Sequence, residues 1–262
     1  KISNYARSLT IKTVTDKTAS EAIAQFGLER NLDCWEKPSP RLKKIKQLTR
    51  ERDQIIEERT MVKNQLHAEQ AEAEPNKTSI SRITKRIAFL NKQEKEVSVE
   101  IAGLVESDEK ISATVKLLCS LPGVGLLTAS IVLAETNGFD LIRNKRQLTS
   151  YAGLDVKEKQ SGTSVKGKPK ISKKGNRFLR KALHLPALCA IRHDERFKAI
   201  FVRLVGKHGI KMKAAVAVQR KLLEMMYTLY KTNKKYDKDY FKKMEVELSE
   251  KKKINKLEGG HK

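Results

Sequence analysis

Ser161 and Gly162 lie in a stretch, Tyr151 to Asp194, that reads YAGLDVKEKQSGTSVKGKPKISKKGNRFLRKALHLPALCAIRHD. A small hydroxyl in a Ser/Gly/Lys loop is a group that can attack phosphorus. Glycines let the backbone approach a phosphate closely, and lysines neutralise the charge that builds up during transfer. The cations available to clamp flanking phosphates are Lys166, Lys168, Lys170, Lys173, Lys174, Arg177 and Arg180, with Gly162 and Gly167 leaving room beside them. The same pattern also describes a plain solvated basic loop.

Charge narrows the partner. The chain has 55 Lys and Arg against 31 Asp and Glu, a net of +24. Charge of that size opposes compaction, and its counterpart is a polyanion. The excess is concentrated: Val156 to Lys213 holds 17 Lys and Arg and 3 Asp and Glu, a net of +14 in 58 residues. Such density is the footprint of a phosphate backbone. A basic membrane-surface helix would set Trp, Phe and Leu on a clean opposite face, and the one Trp, Trp35, lies elsewhere. No membrane partner is expected, and no apolar run is long enough to span one. Cys34, Cys119 and Cys189 are odd in number and widely spaced, which predicts reduced thiols in a cytoplasm. The five histidines show no ligand spacing. The chain opens at Lys1 without an initiator Met, and its first residues read like the end of a domain, so a preceding portion is expected.

The elements that must position this loop are mainly α. Residues 1–40 predict a short helix over Asn4–Ile11, an extended piece over 12–15, and a helix over Lys17–Phe26, capped by Asp16 and closed by Gly27. From Ile80, positions stepping by three and four read Ile, Ile, Ile, Leu, Glu, Val, Ile, Leu, Asp, Ile, Val, Leu, the exceptions being Glu94 and Asp108. That seam continues to Leu118. Upstream, Ile45, Leu48, Ile55, Val62 and Leu66 keep the same rhythm, with Arg52 and Arg59 at two seam positions. Pro75 stops the first helix, so 41–118 predicts a long antiparallel coiled-coil hairpin, and its limited core predicts a dimer built through it. Residues 119–231 predict a compact helical domain, with helices over Gly175–His193 and Lys211–Lys231. Within it, Leu121-Pro-Gly-Val-Gly125 joins two helices. Gly123 and Gly125 there either expose amides for a phosphate, the helix-hairpin-helix arrangement, or make a simple tight turn. Residues 232–262 predict a flexible basic tail.

Taken together, NYARSL, KTVTDK, LPGVGLLTASIVLAE, FDLIRNKRQLTSYAGL and the SG-loop stretch resemble, in order and as far as about Asp237, the insertion-sequence transposases related to the Piv DNA invertase. The resemblance implies an N-terminal α/β RuvC-like domain with a DEDD set of acids binding Mg²⁺, here present only as a remnant. It also implies a C-terminal domain whose serine attacks DNA. That serine corresponds to Ser161, with Ser164 as the alternative. Asp16 corresponds to the first acid of the last Asp-x-x-Asp pair. The second position is Ala19, where Glu21 is a nearby substitute, and the first two acids would precede Lys1. The resemblance further implies a guide (bridge) RNA and a bacterial cytoplasmic setting; the oligomer built through the hairpin is either a dimer or a tetramer.

Two functions follow from this reading. One is a DNA recombinase working through a serine-phosphate intermediate, incomplete in this chain alone. The other is a non-catalytic, dimeric coiled-coil protein that binds nucleic acid through its helix-hairpin-helix turn.

Overall fold

The computed structural model describes residues 2–9, 13, 15–31, 37–140, 142–157, 160–161, 165–167 and 170–239. The molecule is mainly α, as its periodicity predicts. It divides at Pro38/Ser39 into two compact units.

The first unit contains α1 (Ile2–Ser8) and α2 (Asp16–Glu29). Tyr5 meets Phe26 edge to face, their ring centroids 5.1 Å apart, and Ala22 and Phe26 are buried. The cap is Thr15 rather than Asp16: its hydroxyl accepts from the Thr18 amide at 3.3 Å while Thr18 returns the bond. α2 also runs past Gly27 to Glu29. The expected extended piece falls largely outside the described residues.

The second unit begins with α3 (Pro40–Ala71) and α4 (Lys77–Glu106). Lys44 pairs with Glu100 at 3.1 Å and Glu58 with Arg86 at 3.8 Å, so position numbers fall on one helix as they rise on the other. The two are antiparallel. Ile45, Leu48, Ile55 and Val62 are buried with Leu90, Val97 and Ile101 along the expected seam. The seam charges satisfy one another, as Arg52 and Arg59 both bind the Glu94 carboxylate. Arg52 adds Ser98 Oγ at 3.1 Å and Arg59 adds Asn91 Oδ1 at 2.9 Å.

The hairpin is shorter than predicted. The chain breaks at Ser107-Asp108, and α5 (Glu109–Leu118) is a separate helix. Asp108 is a cap rather than a seam residue: its Oδ1 accepts from the Ile111 amide at 3.1 Å and its Oδ2 from Arg41 at 2.8 Å. A side-chain acceptor there ends one helix and starts the next. The three-and-four rhythm carries across because α5 buries Val115 and Leu118 as well, against different neighbours.

α6 (Leu126–Thr136) is the centre of the unit, with Ala129, Val132, Leu133 and Ala134 all buried. It packs against α3, α4 and α5, so the hairpin and the later helices form one unit rather than the two domains expected. After α7 (Lys145–Tyr151) come four two-residue strands, β1 (Val156–Lys157), β2 (Gln160–Ser161), β3 (Val165–Lys166) and β4 (Lys170–Ile171).

The helix expected over Gly175–His193 is two, α8 (Arg177–Ala182) and α9 (His184–His193). Pro186 has no amide for the Ala182 carbonyl, so the ladder is cut there. α10 (Glu195–His208) and α11 (Lys211–Thr232) complete the unit, and Val218, Leu222, Leu223 and Met226 of α11 are core.

The tail is fixed through Tyr236 rather than loose from residue 232. The Tyr236 amide donates to Ser120 Oγ at 2.9 Å, and its hydroxyl donates to Asp194 at 3.0 Å. Burial and that carboxylate push the phenol up to about 12. Residues 240–262 lie outside the described set.

Candidate active site on a basic hairpin

β1 pairs antiparallel with β4, Val156 opposite Ile171 and Lys157 opposite Lys170. β2 pairs with β3, Gln160 opposite Lys166 and Ser161 opposite Val165. The described strands of the SG loop therefore form an outer and an inner antiparallel ladder; residues 158–159, 162–164 and 168–169 lie outside the described residues. Two residues separate the ladders on the outgoing arm and three on the return, so the register slips by one.

The root of the hairpin is built by close backbone approach. Gly153 has φ 67°, and a Cβ on Gly175 would lie 2.5 Å from the Tyr151 carbonyl oxygen and 2.6 Å from the Gly153 nitrogen. Only glycine fits between these two segments. The Ser172 amide donates to the Asp155 carbonyl at 2.8 Å, and Ser172 Oγ donates to the Asp155 carboxylate at 2.5 Å. Lys173, at φ 53°, gives its amide to the Gly153 carbonyl at 3.1 Å.

Asn176 ties this root to the core. Its Oδ1 accepts from the Phe178 and Leu179 amides at 2.9 and 3.3 Å, capping α8, while its Nδ2 donates to Glu135 Oε2 at 2.7 Å. Glu135 is wholly buried. Arg50 of α3 grips it with Nε at 2.9 Å and Nη2 at 3.1 Å, and Lys46, one turn earlier, reaches it at 3.2 Å. Burial pushes this carboxyl up. The bonds from Arg50 and Asn176 and the charges of Lys46 and Arg50 outweigh that and leave it below the usual carboxylate range. The Arg50 guanidinium also stacks 4.5 Å from the Phe178 ring centroid. One turn further along α3, Lys181 pairs with Asp53, and with Glu57 at 3.1 Å. A polar stripe on α3 thus holds α8, and with it the hairpin.

The expected site residues divide by role. Lys170, Lys173, Lys174 and Arg177 are exposed around the root and the start of α8. Lys166 and Ser161 stand in the inner ladder; Ser164 and Lys168 lie outside the described residues. Arg180 turns inward, giving Nη1 to the Ala152 carbonyl at 2.7 Å, and braces the turn. Gly123, at φ 82°, is pressed on α9, where a Cβ would lie 2.5 Å from the Pro186 carbonyl oxygen. Gly125 is exposed at the N-cap of α6 with open space beside it.

Asp16 is exposed in the first turn of α2, and Glu21 follows five residues later, about 140° around the helix. The two do not face one ion. Among the described residues no three His, Cys, Asp or Glu side chains gather to hold a metal. The Cys119 thiol is pushed up by burial, while Cys189 is exposed.

Motif reading missed Glu135 and Asn176. The available signal was that Glu135 is the only charge between Lys116 and Asp140, in an otherwise apolar helix. A buried charge must be paired.

Known proteins align with these segments. Residues 115–201, which include α6, the hairpin and α8, match the family described as Transposase IS116/IS110/IS902 family, and residues 1–70 match a DEDD-type IS110 transposase model. The chain is similar to the pilin gene-inverting protein of Moraxella bovis, 28% identical over 239 residues, covering 89% of this chain and 71% of that protein. It is also similar to the transposase for insertion sequence element IS1111A of Coxiella burnetii, 31% identical over 123 residues, covering 45% of this chain and 33% of that protein. With one transposase segment at its start and another around the hairpin, in order, the chain is similar to the IS110/IS116/IS902 transposases over both segments.

Proposed function

We propose that this protein cuts and rejoins DNA, with Ser161 as the nucleophile and the cations at the hairpin root holding the flanking phosphates. The observation that carries the reading is the hairpin itself: a serine in its inner ladder, with Lys170, Lys173, Lys174 and Arg177 exposed at its base. In the proposed step the Ser161 Oγ–P bond forms as one phosphodiester P–O bond breaks, and the hydroxyl proton ends on the leaving strand oxygen. Reversal with a second strand's hydroxyl rejoins DNA without ATP, because the phosphoserine keeps the bond energy. Hydrogen-bond donors and cations near the phosphate stabilise the charge that develops on its oxygens.

Divalent-metal dependence belongs to the DEDD type that residues 1–70 match. The described residues do not form the ion's site, so Mg²⁺ would need ligands beyond them. A guide RNA, and a dimer or tetramer joined through α3 and α4, complete the proposal. Met61, Phe89 and Val99, exposed on those two helices, offer apolar surface for such pairing.

The test incubates full-length protein with Mg²⁺, its DNA and RNA, then resolves protein–DNA adducts after denaturation. Adduct that is lost in Ser161→Ala while DNA binding persists supports the reading. Adduct that survives there and disappears in Ser164→Ala moves the role three residues on. DNA binding with no adduct under any condition favours the architectural alternative.

A further inference from the structure

The stretch from Arg196 to Leu223 contains eight Lys and Arg and no Asp or Glu. Part of this charge is used internally: Arg220 and Lys221 both bind Glu224 at 2.9 Å. Four of the others gather at one corner. On α10, Arg203 and Lys207 are four residues apart and share a ridge. Gly209, at φ 68°, turns the chain, and Lys211 and Lys213 follow in the first turn of α11. All four cations are exposed, and none has an ion-pair partner among the described residues.

Folding gains nothing from this placement. Cations at a helix start oppose its dipole, and that turn has neither an acidic residue nor a side-chain cap. Partial desolvation, then the charges of Lys213 and Lys207, hold the His208 imidazole below its ordinary value, as expected beside unneutralised cations. Val202, Ile210 and Met212 are each more than half exposed within the same surface. The cluster stands on elements other than those of the hairpin root. α10 packs on α9 and α11, whereas α8 packs on α6 and α9. With 14 residues, α10 sets its His208 end about 20 Å from its junction with α9.

We propose that the α10–α11 corner is a second nucleic-acid surface, in which Arg203, Lys207, Lys211 and Lys213 bind a phosphodiester backbone separate from the strand at the Ser161 hairpin. A recombinase must hold more than one nucleic-acid segment at once, and two cationic patches on different elements of one compact unit meet that need. The ligand is the backbone of DNA or of RNA, which share this chemistry. A membrane surface fits less well, since no Trp stands here and the exposed apolar residues are interspersed with the lysines rather than set opposite them.

The surface rests on nucleic-acid binding alone and not on the role of Ser161. The test compares full-length protein with Lys207→Ala/Lys211→Ala/Lys213→Ala, and with a control of equal charge loss, Lys63→Ala/Lys95→Ala/Lys110→Ala. Binding to labelled duplex DNA and to a labelled RNA hairpin is measured across salt concentrations. Removing three phosphate contacts lowers the log–log salt slope by about 2 to 3 and weakens affinity at least about tenfold for the nucleic acid that lies there. The two probes distinguish DNA from RNA. The control keeps its slope. Slopes equal to wild type for both probes overturn the proposal. So does loss of binding to anionic vesicles with nucleic-acid affinity intact. Ser161→Ala, by contrast, removes adduct while leaving the slope alone, so the two readings fail separately.

Discussion

Glu135 sits in a helix otherwise made of small and apolar side chains, yet two cations and an amide meet its carboxylate. Removing it would leave Arg50 and Lys46 facing apolar packing, although both are partly exposed and can reorient toward water. Glu135→Ala is expected to cost about 2–4 kcal/mol, toward the lower side of what breaking a buried pair costs. The sign of its pH dependence follows from its depressed folded value. The stability it contributes is present above the unfolded carboxylate value and lost as pH falls through the folded one. Chemical denaturation at successive pH values should therefore show acid destabilisation below about pH 4.5 that is weaker in Glu135→Gln. Gly175 makes a second prediction at this scale. A methyl there meets backbone on both sides, and backbone cannot step aside as a flexible side chain can. Gly175→Ala should cost about 1–3 kcal/mol by overpacking, read as a lowered denaturation midpoint.

Elements are held by different means at their two ends. Asp108 both ends the long hairpin and starts α5, so Asp108→Ala should lose about 1 kcal/mol of cap stabilisation and the Arg41 contact with it. The measurement is the urea midpoint at neutral pH. α8 offers a cleaner separation, because Asn176 caps with its oxygen and reaches Glu135 with its nitrogen. Serine can cap but cannot make the second bond. Asn176→Ser should leave α8 protected while amides around 156–157 and 170–171 exchange faster with solvent. Equal exchange in both proteins would show that Glu135 does not steady the hairpin.

For the whole molecule, a net charge of +24 makes nucleic-acid binding strongly salt-dependent. Affinity for generic duplex should fall about a thousandfold or more between roughly 50 and 200 mM salt if six or more phosphates are contacted, measurable by anisotropy titration. A slope of one or two would mean that most of this charge faces solvent rather than a backbone.

Several features were legible in the residues themselves. Class, the antiparallel seam, the Pro75 reversal, the cationic stretch and the transposase segments all depend on near neighbours along the chain. Composition, helical period and local motifs record such neighbours directly. Tertiary structure alone decided the rest. It placed Glu135 of α6 between Arg50 of α3 and Asn176 before α8, and turned Arg180 inward. It pressed Gly123 onto α9 and paired the strands of the serine loop into two ladders one residue out of register. Each of these joins residues far apart in sequence, or rests on which face a side chain turns when helices pack. A lone glutamate in an apolar run states that a partner must exist; only the packed helices say which.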